Sequence, residues 1–146
     1  NPIFTYGIML GLIHQGYYCG GYSRTETDAG RIGSVLIATA PGELYPEIAV
    51  GGVEARPGRD FDILPVEEPP LGDEAKKFAK QTPIFGLCND EIGYIVPKSQ
   101  WDVEPPFVYD NEAQYGEENS AGPEIAPTVH RESLALLRRL HEAWPK

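Results

Sequence analysis

Basic side chains are scarce in this chain. Twelve Lys and Arg stand against 22 Asp and Glu, for a formal net charge of −10. The basic residues form no run longer than the pairs Lys76-Lys77 and Arg138-Arg139. So acidic a chain is a poor match for a phosphate backbone, and no nucleic-acid partner is expected. Long apolar runs are missing too. The longest early one, Ile8 to Ile13, falls far short of the ~20 residues of a membrane helix, so no transmembrane segment is expected. Cysteine is limited to Cys19 and Cys88, which make no zinc motif and leave a disulfide or two buried thiols as alternatives. Histidine is limited to His14, His130 and His141, with no acid or cysteine completing a ligand set around them. His14 reads as structural or surface, and the other two as a solvated pair along a helix. An initiating Met and a signal-like segment are absent; the opening Asn1-Pro2 suggests a processed product or a fragment of a longer protein. No internal repeat is found.

What is present suits one globular domain. Its 146 residues are 41% apolar and 23% charged, enough for a real core. The 14 prolines and 16 glycines imply many turns, which fits an enzyme fragment better than a coiled coil. The central stretch is Ile32 to Leu44. Val35 to Ala40 is short, continuously apolar and closed by Pro41-Gly42, the pattern of a buried strand. Leu44 to Val50 then reads as a short helix stopped at Gly51-Gly52. Glu43 falls between them, at a strand's C-terminal edge and a helix N-terminus. Ligands gather at such edges in α/β sheets. A carboxylate there is a metal ligand, a catalytic base or a plain helix cap.

Elsewhere, Phe4 to Ile13 reads as one strand or two short ones. Tyr17 to Tyr22 is aromatic and glycine-rich, either a strand end with a tight turn or a pocket wall. Ser23 to Gly30 reads as a polar loop. Gly51 to Asp60 and Val66 to Pro70 read as exposed connections. Asp73 is placed to cap a polar helix from Glu74 to Gln81, ended by Pro83. Ile84 to Cys88 reads as a second buried strand with a polar corner, Asn89-Asp90-Glu91, at its end. Lys98 to Trp101 fits one helical turn, and Tyr109 to Ser120 a loop. Thr128 is placed to cap a final helix over 128–144, with Leu134, Leu137, Leu140 and Trp144 on one stripe. The expected architecture is α/β: a mixed β-sheet with flanking helices, its strands near 33–40 and 84–88 in one sheet and the last helix across a face.

Three segments carry a resemblance to a known family. Thr39-Ala40-Pro41-Gly42-Glu43 resembles a "TIPGE" corner. Gly86-Leu87-Cys88-Asn89-Asp90-Glu91-Ile92-Gly93-Tyr94-Ile95 resembles "GLxNDYxGY". Gln114-Tyr115-Gly116-Glu117-Glu118-Asn119-Ser120-Ala121-Gly122-Pro123 resembles "QxYEGxSTLxGP". In this order they resemble the neutral/alkaline, non-lysosomal ceramidases, in the C-terminal part of their catalytic domain. The resemblance implies a partial domain of a larger zinc amidohydrolase that cleaves the N-acyl bond of a ceramide-like lipid amide. It implies zinc as cofactor, with Glu43 and Tyr94 as ligands and Tyr115 beside the substrate amide. Two histidine ligands would come from the N-terminal remainder of the domain, the implied partner, so the isolated chain is expected to be inactive. A secreted or cell-surface setting is implied as well. The chain departs from the pattern in three ways. Trp101 to Asn111 lengthens the spacing from Tyr94 to Tyr115. Tyr115-Gly116-Glu117 replaces Tyr-Glu-Gly. Ser120-Ala121 shortens the Ser-Thr-Leu portion. A catalytically retired binding or structural module of the same fold is the alternative, and an unrelated α/β domain a third reading. The zinc reading requires the Glu43 and Tyr94 side chains to lie within a few ångströms of each other.

Overall fold

The computed structural model describes residues 6, 9, 10, 18, 19, 22–51, 69–102, 105, 107 and 114–144. Its class is α/β, with short mixed sheets and flanking helices. A two-residue hairpin pairs β1 (Tyr18–Cys19) with β2 (Tyr22–Ser23). The main sheet has three strands: β3 (Ala29–Ile32), β4 (Val35–Thr39) and β6 (Ile84–Phe85), in the order β3-β4-β6. β3 and β4 form an antiparallel hairpin that turns at Gly33-Ser34 and pairs Ile32 with Val35. β4 and β6 are parallel, with Ala38 beside Ile84 and Thr39 beside Phe85. A second, two-stranded parallel sheet pairs β5 (Glu43–Leu44) with β7 (Tyr94–Ile95). The helices are α1 (Pro46–Val50), α2 (Leu71–Ala75), α3 (Tyr115–Glu118) and α4 (Ile125–Ala143), with a 3₁₀ turn at Lys98–Gln100.

β4 is the strand expected from its apolar run, and it lies beside the 84–85 strand as the two short apolar stretches imply. Other boundaries move. The polar stretch 23–30 is not all loop, because Ala29 and Gly30 enter β3 and pair with Ala38 and Ile37. The 84–88 strand stops at Phe85, because Leu87 and Asn89 turn left-handed at φ 54 and 75. The 74–81 helix lies instead at 71–75, with Pro70 rather than Asp73 at its N-cap. Tyr115 to Glu118, expected as loop, is a helical turn. α4 starts three residues before Thr128, with Glu124 at its N-cap. Pro127 fits there because the first helical turn needs no amide donor. From 4 to 13, Tyr6 and Met9 are helical rather than extended, and Leu10 N–H donates to the Tyr6 carbonyl at 2.9 Å. The expected loop over 52–60 and the side chains of Tyr17 to Tyr22 lie outside the described residues.

Helix α4 holds the two sheets together. Its buried positions are Ala126, Val129, His130, Ser133 and Leu137, a stripe at helical spacing. Leu137 packs with Leu36 and Ala38 on the main sheet, Ala75 on α2 and Ala79 beyond it. Ala126 and Val129 pack with Ala40 just after β4, Ile48 on α1 and Ile95 on the second sheet. The two polar members of the stripe are satisfied. Ser133 Oγ lies 3.2 Å from Thr27 Oγ1, and His130 Nε2 lies 2.7 Å from the Pro69 carbonyl. His130 is thus a buried fastening rather than half of a solvated pair. Trp144 lies past the helix end and is 59% exposed, outside the stripe expected to include it. Among the described residues no helix is long and apolar enough to cross a membrane.

Leu137 is fully buried, so Leu137→Ala should cost about 2–5 kcal/mol. Trp144→Ala should stay within about 0.5 kcal/mol, since its side chain stands in solvent. Urea midpoints of the two variants check both values.

Candidate functional site

β4 ends in a corner whose carbonyls are all used. The Ala40 carbonyl accepts Cys88 N–H at 3.0 Å, Pro41 accepts Ile92 N–H at 2.9 Å, and Gly42 accepts Leu87 N–H at 2.9 Å. The segment after β6 therefore clasps the Pro-Gly corner from outside. Leu87 tolerates its left-handed backbone, rare for a bulky residue, because two of these bonds hold it. Asn89 suits that conformation better, and its Nδ2 donates to Asp28 Oδ2 at 2.9 Å, which ties the clasp to the chain before β3. Cys88 is a half-buried free thiol, so neither the disulfide nor a fully buried thiol applies to it.

Beyond the corner, three backbones come unusually close. Glu43 N–H donates to the Gly93 carbonyl at 3.0 Å, and Tyr94 N–H to the Asn119 carbonyl at 2.9 Å. A Cβ on Gly42 would overlap the Gly93 carbonyl, and one on Gly93 would overlap that of Asn119. Gly93 also has φ 90. Glycine at both positions is what lets the strands meet. The pairing sets Glu43 beside Tyr94, and Tyr94 beside Ser120. Laterally paired residues of neighbouring strands share a face, so carboxylate, phenol and hydroxyl stand in one row.

Glu43 is therefore a strand residue and not a helix cap. The N-cap of α1 is Tyr45, which makes no side-chain capping bond. The Glu43 carboxylate is near enough to the Tyr94 phenol to act on its ionisation. The Tyr115 ring meets the Tyr94 ring edge-on, with centroids 5.7 Å apart and planes at 75°. Glu43, Tyr94, Tyr115 and Ser120 line one cleft of about 480 Å³, with Glu91 and Glu118 on its wall. Glu91 Oε1 accepts Gly93 N–H at 2.9 Å, which stiffens the turn into β7.

The cleft holds acidic groups close together. Loss of water contact and the Glu43 carboxylate push the Tyr94 phenol above its ordinary 10.0. Burial, then the charges of Glu117 and Glu47, push the Tyr45 phenol the same way. Both tyrosines are neutral at physiological pH.

The structure brings together all three residues that the sequence singled out, Glu43, Tyr94 and Tyr115. Ser120 and Glu91 were missed as site residues, and Tyr45 as a neighbour of the Tyr94 ring. Glu91 and Ser120 sit inside the motif segments, so nearness to Gly93-Tyr94 and Asn119 was the available signal. Neither His130 nor His141 lines the cleft; His141 packs on Phe78 with centroids 5.8 Å apart. His14 lies outside the described residues. Among the described residues no three His, Cys, Asp or Glu side chains form a metal-binding group. Comparison with protein-family models, with curated proteins and with solved structures finds no match.

Gly93→Ala should destabilise the fold by about 2–4 kcal/mol, through its strained φ and the overlap with Asn119. Gly30→Ala, with open space at its Cβ, should stay within about 1 kcal/mol. Denaturant titration of both variants separates close approach from general glycine loss.

A raised phenol gives the converse pH dependence to that of a paired carboxylate. Its stabilising contribution is complete below the unfolded value near 10.0 and is lost as pH rises through the folded one. Unfolding free energy should therefore drop above about pH 10, and less steeply in Tyr94→Phe. Glu43→Gln should bring Tyr94 ionisation to lower pH, read from phenolate absorbance of the folded protein.

Proposed function

We propose that this chain forms the glutamate–tyrosine half of the metal site of a zinc-dependent amidohydrolase resembling neutral ceramidase. The complete enzyme hydrolyses an N-acyl, ceramide-like amide. One observation supports this above the others. The motif resemblance points to Glu43, Tyr94 and Tyr115, and these three line one cleft, with Glu43 and Tyr94 paired on neighbouring strands.

The donor set fits zinc. Carboxylate oxygen is an ordinary zinc ligand, and a phenol becomes one when a cation takes the place of its proton. The proton at issue is that of the Tyr94 phenol, which the neighbouring Glu43 carboxylate helps keep in place by disfavouring a second negative charge. A divalent cation there reverses that preference. Zinc sites use three or four protein ligands, so Glu43 and Tyr94 need histidines from the N-terminal remainder of the domain. The isolated chain is accordingly inactive. When bound, zinc would polarise the amide carbonyl or activate a water.

The chain's own residues supply the rest. Main-chain pairing holds Glu43 and Tyr94 in register, so neither side chain has to be ordered by the ligand. Tyr115 is 70% exposed over the cleft, and its hydroxyl can donate to the amide oxygen as charge develops there. The Tyr94 and Tyr115 rings with Ile92 give the cleft apolar wall suited to a lipid amide. A secreted or cell-surface setting would suit that substrate.

The test is hydrolysis of an N-acyl sphingoid substrate by the complete protein, with zinc and with chelator. Turnover should require zinc. It should fall at least about a hundredfold in Glu43→Ala with loss of bound metal, and about ten- to a hundredfold in Tyr115→Phe with metal retained. Bound zinc without turnover would favour a retired module of the same fold. Absence of both would sink the proposal.

A further inference from the structure

Tyr45 is not a motif residue, and at the N-cap of α1 its side chain makes no capping bond, yet it touches both arms of the cleft. Its ring meets Tyr94 edge-on, with centroids 6.1 Å apart and planes at 84°. Its phenol tip lies against Gly116, inside the α3 turn that carries Tyr115. A Cβ at 116 would overlap Tyr45 Oη outright and stand 3.0 Å from Cζ and 3.4 Å from Cε1. Glycine is a poor helix former, so Gly116 within α3 needs a local reason. The Tyr45 phenol supplies one.

We infer that Tyr45 is a positioning residue, which sets Tyr94 against Tyr115 from a socket that only glycine at 116 leaves open. The ring is rigid and turns about two torsions, so it moves as one body. It also packs against the core formed by Ala40, Ile48, Ile95, Ala126 and Val129. Retreat into that core is closed by dense packing. A side chain at 116 must therefore push the phenol towards Tyr94 or lift α3 away. Either movement changes the 5.7 Å approach of the Tyr94 and Tyr115 rings. The catalytic consequence rests on the amidohydrolase reading; the geometric one does not.

The chain with isotope-labelled tyrosine rings tests the geometry. The ring-to-ring nuclear Overhauser effect between Tyr94 and Tyr115 should persist in Tyr45→Phe, which keeps the ring. It should fall at least twofold in Gly116→Ala and in Tyr45→Leu. The double variant Gly116→Ala/Tyr45→Leu should be more stable than the two single losses add to, because the clash is gone. If Gly116→Ala fails to fold, recovery of folding in the double variant supports the inference. If neither folds, Tyr45→Leu decides by the same ring signal. An unchanged ring signal in Tyr45→Leu, or strict additivity in the cycle, overturns it. In the complete protein Gly116→Ala should lower kcat roughly tenfold or more with KM within about twofold, while Tyr45→Phe stays near wild type. Wild-type protein without turnover would instead refute the amidohydrolase reading and leave the ring result standing.

Discussion

Close approach of backbone to backbone at Gly42 and Gly93 is the constraint on which the rest of the cleft depends. Three extended segments from distant parts of the chain stack there through main-chain hydrogen bonds. Each bond is worth only about 1 kcal/mol net, so two-residue strands cannot hold themselves together. What holds them is the clasp of residues 87–92 on one side and the packing of α1 and α4 on the other. The side chains of the cleft are placed by the backbone, and then tuned by one another.

The core is correspondingly built from small residues. Ala38, Ala40, Ala75, Ala79 and Ala126 are all buried where helices meet sheet. Small side chains let α4 lie close to both sheets and bring polar groups within reach of one another. That closeness explains why a buried serine and a buried histidine in the helix stripe find partners on Thr27 and Pro69. Strain is kept near the site, in the left-handed Leu87, and hydrogen bonds from neighbouring amides fix it there.

Legibility followed pattern length. β4 was readable because five apolar residues end at Pro-Gly, and the last helix because its leucines keep a helical period. Glu43 was expected at a helix N-terminus and lies instead in β5. A two-residue strand has no periodicity, so Leu44 was absorbed into the helix that follows and Glu43 was left at its start. The β3–β4 hairpin was missed because Ala29-Gly30-Arg31 carries little strand preference of its own; pairing to β4 decides it. Trp144 continued the stripe on paper but falls after the helix has ended. Tyr45 could not be read as part of the site, since its meaning lies in Gly116, 71 positions away (116 − 45). Between Tyr115 and Glu117, a residue larger than glycine would overlap the Tyr45 phenol.

The register of Glu43 against Tyr94 has a consequence for how the chain can change in length. Closing the long stretch between the two costs conformational entropy that grows only with the logarithm of its length. Segments can thus be added or removed between α1 and α2 at little expense to the pairing. At the corner itself the opposite holds. One residue gained or lost between Pro41 and Tyr45 would turn the carboxylate to the other face of the strand, because side chains alternate there. Length is free far from the cleft and fixed to the single residue beside it.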